Sequence, residues 1–228
     1  MSAGTAAVTA IVVASATARA LAWRRLGVSS IDIGDMLLVA MFAVALLGRC
    51  DPAVSFGIIG RLRWTAVAGS AALFLAGAAV GSGWRDRLWD KWRRWMERAG
   101  VNPGGAAIAV GLAPASWRMA AAAALTASGA LLEEMLFRGF LLRWVRELVG
   151  FWWAVAAQAV AFGLVHAVPM ARAGAPAPLV AYCMLMPAGI GLGLGALARW
   201  GLVYPWAVHW ALNWWAAVRG GGREDNGK

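Results

Sequence analysis

The chain has 228 residues, is 61% hydrophobic and 14% charged, and carries a net charge of +10. A soluble domain is about 45–50% apolar and about 25% charged, so this composition excludes an ordinary soluble protein and points to a polytopic membrane protein. In a soluble chain the positive charge would suggest nucleic acid. Here Arg and Lys flank apolar runs, where they set orientation and meet anionic headgroups, and no nucleic-acid partner is expected.

At about 20 apolar residues per crossing, the chain has room for about six to eight spans in one all-α transmembrane bundle. Ala3–Trp23 lacks a basic leading region, so it reads as a first span rather than a signal peptide. Met36–Gly48 reads as a second span, and Trp64–Gly81 as a third, ending in glycines. Trp84–Arg98 differs in kind. On a helix, Trp84, Leu88, Trp89, Trp92, Trp95 and Met96 fall within an arc of about 140° with Arg85 the only intruder, and Arg87, Lys91, Arg93, Arg94 and Arg98 lie opposite, along with Asp86, Asp90 and Glu97. That pattern predicts an amphipathic helix in the plane of anionic headgroups, on the cytoplasmic side.

Ala106–Ala130 is apolar but punctuated by Pro114, Ser116 and Arg118. The Glu133 segment follows, then a span over Phe151–Val168 and a Pro/Gly-rich loop over Pro169–Pro178. Leu179–Arg199 is a span whose glycines 189, 191, 193 and 195 suit close helix packing. The last span runs from Pro205 to Val218. The chain thus divides into an N-terminal membrane region with its interfacial helix (1–100), a helical core (101–219) and a disordered polar tail (220–228). Richness in Ala, Gly, Arg and Trp suggests a bacterial source, and hence the cytoplasmic (inner) membrane. Cys50 and Cys183 lie far apart, which gives neither a disulfide framework nor zinc spacing.

The polar residues inside apolar runs carry the functional signal. Leu131–Phe140 reads LLEEMLFRGF. Glu134 and Arg138, four apart, share a helix face and can neutralise each other. Glu133 is turned about 100° away, towards Phe137, Phe140 and Trp144. Desolvation among aromatics favours a protonated carboxyl, which makes Glu133 a candidate general base near neutral pH. The bland alternative is a structural ion pair beside one snorkelling Glu. The chain has only two histidines, His166 and His209, and both fall within apolar runs. Phe162 shares a face with His166, and Gln158 extends that stripe by a turn. Asn213 follows His209 by four, a pairing that would otherwise read as interhelical glue. A carboxylate with an imidazole can activate water, and a second donor pair can hold an oxyanion. No Ser or Cys lies in these stripes, so the chemistry suggested is attack of activated water on a carbonyl.

Glu-Glu-x-x-x-Arg, Phe-x-x-x-His and His-x-x-x-Asn, in this order, resemble the CPBP family of CAAX proteases and bacteriocin-processing enzymes, also called the ABI family. Its eukaryotic members are the type II CAAX prenyl endopeptidases. The likeness covers about Leu131–Trp215, and Phe137 and Gly139 around Arg138 fit it too. The resemblance implies a glutamic intramembrane endopeptidase with no cofactor. In it Glu133 acts as general base, His166 orients the water, and His209 and Asn213 stabilise the oxyanion. Glu134 and Arg138 would then form a supporting pair, with Phe162 packed around the site. Two histidines and a carboxylate also make a zinc donor set, although His-Glu-x-x-His spacing is absent. The expected partner is a peptide or membrane-anchored protein, processed at a CAAX-type, leader-peptide or C-terminal sorting signal. The alternatives are a non-enzymatic immunity protein that sequesters a peptide, and a proton-coupled transporter.

Overall fold

The computed structural model describes residues 63–99, 123, 126–127, 129–172 and 174–221. Among these every regular element is helical and no strand occurs. The helices are α1 (Trp64–Ala99), α2 (Leu142–Val149), α3 (Phe151–Arg172), α4 (Ala177–Leu197) and α5 (Val203–Gly221). A π-helical segment, Met135–Leu141, leads directly into α2 from helical residues 129–134. The expected spans before Arg63, most of Ala106–Ala130 and the tail beyond Gly221 lie outside the described residues. Among the described residues, two stretches are long and apolar enough to cross a membrane: Phe151–Arg172, and Ala177–Trp200, which includes the 3-10 turn after α4. Trp64–Val80 is a shorter apolar stretch.

Two expectations change. The break expected at Gly81 and Gly83 is absent, and α1 runs unbroken for 36 residues. An interior glycine costs a helix only about 1 kcal/mol, and no proline intervenes. At 1.5 Å per residue α1 is about 54 Å long, well beyond a hydrocarbon core of about 30 Å. The Trp-rich basic stretch 84–98 therefore continues the α1 rod rather than forming a separate interfacial helix. The Pro/Gly loop is also shorter than expected. Pro169 lies in the last turn of α3, and Pro178 sits at the start of α4. Proline is tolerated in a first helical turn, where its missing N–H would have no partner anyway.

Packing is most extensive between α3 and α4. Small residues make it possible. A Cβ on Gly163 of α3 would collide with the Met184 carbonyl of α4. On α4, Gly191 faces Ala159 and Phe162, and Gly195 faces Gln158 and Val155. Gly193, turned the other way, receives Leu73 of α1. The glycine stripe thus serves two neighbours at once. A second seam buries Ala66, Leu194, Leu197, Tyr204 and Val208 between α1, α4 and α5. The Arg63 amide N–H donates to the Tyr204 hydroxyl at 2.8 Å, which ties the start of α1 to α5. The third seam joins Leu142, Ala154 and Val155 across the tight Gly150 corner. Gly150 has φ +84°, a left-handed backbone that suits a residue without a Cβ.

Candidate active site

Glu134 is the centre of the polar cluster. It is fully buried, and Arg138 Nη1 donates to its Oε1 at 2.9 Å, as four-residue spacing predicts. His209, 75 positions along the chain on α5, brings Nδ1 to the same oxygen at 2.8 Å. Because Oε1 already accepts from Arg138, the Nδ1–H of His209 is the donor. The opposite ring nitrogen, Nε2, faces Glu133 Oε2 at 3.7 Å. That is too long for a direct hydrogen bond, and Oε2 itself is buried with no hydrogen-bond partner among the described residues. The Glu133 side chain is 36% exposed, while those of Glu134 and Arg138 are sealed off.

Two of the three aromatics expected around Glu133 do not shield it. Phe140 and Trp144 are exposed, and the carboxylate turns to His209 instead. The π-helical segment beginning at Met135 is the reason: its wider turn changes the phase of every side chain after Glu134 relative to an ideal α-helix.

Phe162 holds the cluster together. Its ring lies edge-on to His166, His209 and Phe137, with centroids 4.7, 5.6 and 5.0 Å away. The Arg138 guanidinium sits over it at 4.3 Å. A desolvated cation on an aromatic face contributes about 2 kcal/mol, which helps offset the cost of burying the charge. Among the described residues, His166 reaches the cluster through Phe162. Its Nδ1 lies 2.7 Å from the Phe162 carbonyl oxygen, and a carbonyl only accepts, so Nδ1 carries the proton and Nε2 is an acceptor. Asn213 is half-buried one turn beyond His209 and makes no hydrogen bond among the described residues.

Sequence reasoning placed Gln158 in the stripe but gave it no task. Its amide donates to the Gly191 carbonyl at 2.8 Å and to the Val155 carbonyl at 3.0 Å, bridging α3 to α4 beside Arg138. Trp206 and Trp210 were missed altogether. They stack at 5.8 Å, and their indole N–H groups donate to the carbonyls of Ala127 and Ala123, each at 3.0 Å. Two tryptophans one turn apart on α5 thus grip two carbonyls one turn apart in the segment leading to Glu133. Their four-residue spacing around His209 was the available signal. No group of three or more His, Cys, Asp or Glu suited to a metal ion occurs among the described residues.

A buried acid, an imidazole bonded to it and a second acid facing that imidazole occur here on helices far apart in sequence. Residues 113–215 match the model of a protein family, Type II CAAX prenyl endopeptidase Rce1-like. This Rce1-like segment is a likeness to a protease family, and it contains every candidate residue from Glu133 to Asn213. It bears out the resemblance read from the three motifs. No curated protein matches the chain, and neither does any solved structure.

Proposed function

We propose that the chain is a membrane-embedded glutamic-type endopeptidase that cleaves a peptide bond in a membrane-associated substrate. The observation that carries this reading is the Glu134–His209–Glu133 arrangement within the Rce1-like segment. Water bridging Glu133 and the Nε2 edge of His209 is the nucleophile. Glu133 takes its proton, and the oxygen attacks the scissile carbonyl carbon. His166, with Nδ1–H committed to a backbone carbonyl, offers Nε2 to orient that water. An imidazolium at His209 has one N–H on Glu134 and turns the other into the site, where it stabilises the oxyanion with the Asn213 carboxamide. Collapse of the tetrahedral species breaks the C–N bond, and Glu133 returns its proton to the leaving amine.

Glu134 therefore does more than neutralise Arg138: it fixes the tautomer and ring orientation of His209, as a second carboxylate does in other imidazole-based sites. The mechanism as written uses no metal. Its substrate class is a peptide or membrane-anchored protein, with CAAX-type, leader-peptide and C-terminal sorting signals as the candidates, in a bacterial cytoplasmic membrane.

The test is turnover of a candidate peptide by the purified protein. Glu133→Gln is expected to lower kcat by about 10²–10⁴-fold, and EDTA is expected to leave the wild-type rate unchanged. Wild-type turnover in Glu133→Gln would overturn the assignment. Full biological activity in that variant would favour the sequestering alternative.

A further inference from the structure

Three Arg–Trp dipeptides, far apart in sequence, meet at one end of the bundle. Arg63–Trp64 opens α1, Arg143–Trp144 lies in α2, and Arg199–Trp200 closes α4 in a 3-10 turn. Packing places them together. The Arg63 amide is bonded to Tyr204 in the first turn of α5, which directly follows that 3-10 turn. Ala198, next to Arg199, packs against the Leu142–Ala154–Val155 cluster at the Gly150 corner.

The chemistry of this end is one-sided. All three arginines are exposed, and no carboxylate pairs with any of them among the described residues. Arg146 adds a fourth exposed cation, with Glu147 the single described acid nearby. Trp64 is 77% exposed and Trp144 is 56% exposed. The Arg199 guanidinium sits over the Trp200 ring at 5.0 Å. Arg63–Trp64 opens the apolar stretch Trp64–Val80, and Arg199–Trp200 closes the apolar stretch Ala177–Trp200.

We propose that this end of the bundle is a binding surface for anionic phospholipid, with the arginines of the three dipeptides on headgroup phosphates and the tryptophans at the acyl boundary. A phosphate diester oxygen pair matches the planar guanidinium fork. An indole is amphipathic and settles at that depth of a bilayer. Unpaired cations beside indoles fit a lipid better than a protein partner, whose interface would bury the rings and supply carboxylates. The surface is separate from the Glu133–His209 site and does not depend on peptidase activity.

The test is lipid retention. Purified full-length protein is mixed with equal amounts of phosphatidylglycerol and phosphatidylcholine, and the retained lipids are counted by native mass spectrometry. Wild type is expected to retain phosphatidylglycerol preferentially, and each of Arg63→Gln, Arg143→Gln and Arg199→Gln to lower that preference by roughly fivefold. Arg172→Gln, an exposed arginine at the opposite end of α3, is expected to leave the preference unchanged. Excess inorganic phosphate is expected not to compete, since it lacks the acyl chains that seat against the indoles. Equal retention of the two lipids, an unchanged preference in all three single variants, loss of preference in the Arg172 control, or displacement by free phosphate would each overturn the proposal. The single variants keep the test decisive if the triple variant does not purify.

Discussion

Helices α3 and α4 meet backbone to backbone, with Gly163, Gly191 and Gly195 removing the side chains that would keep them apart. Helix α5 meets the Glu133 segment at arm's length, through His209 on Glu134 and two indole N–H groups on main-chain carbonyls. The first seam relies on shape and the second on directed hydrogen bonds. Shape complementarity fails sharply when a methyl group is added. Hydrogen-bonded seams lose a modest increment with each donor removed. The polar cluster sits where the two meet: Arg138 touches Gly191 and Phe162 on the close-packed side and Glu134 on the other.

Three substitutions separate these modes of support. Arg138→Leu acts on both seams, because it leaves the fully buried Glu134 carboxylate with His209 as its one hydrogen-bond partner among the described residues, and breaking a buried ion pair costs about 3–5 kcal/mol. Thermal unfolding in detergent should show the largest loss of any single change in the cluster. An Arg138→Leu protein as stable as wild type would mean that Glu134 is not held as a charge. Gly163→Ala tests the close-packed seam alone. Its new Cβ meets the Met184 carbonyl, and overpacking of this kind costs about 1–3 kcal/mol. The same assay reads it, and a neutral result would show that α3 and α4 can slide apart without penalty. Trp210→Phe tests the hydrogen-bonded seam, keeping an aromatic ring of smaller volume and deleting one donor, whose loss costs about 0.5–1.5 kcal/mol. If it cost as much as Gly163→Ala, the two seams would not differ in kind.

The sharpest reading of the histidines comes from their number. With only two in the chain, selective ¹⁵N labelling gives two imidazoles, assigned by His166→Gln. Both should report a protonated, hydrogen-bonded Nδ1 in the resting protein. That measurement needs no substrate. A protonated Nε2 with a bare Nδ1 at His209 would remove the Glu134 contact on which the proposed mechanism rests.

Helical content, the apolar stretches and every contact within about one turn were legible in the sequence, because helical geometry ties residues four apart to one face. The Glu134–Arg138 pair, the Phe162–His166 stripe and the glycines of α4 are of this kind. What the sequence did not specify is which helix stands beside which. That His209 bonds Glu134 and faces Glu133, that Gln158 reaches Gly191, and that two tryptophans hold the carbonyls of Ala123 and Ala127 all depend on contacts between residues 33 to 87 positions apart. Composition and periodicity set what each helix exposes; only the packing of close-fitting glycine faces against bulky ones decided which polar groups meet, because that choice is made by shape across helices and not by spacing along one.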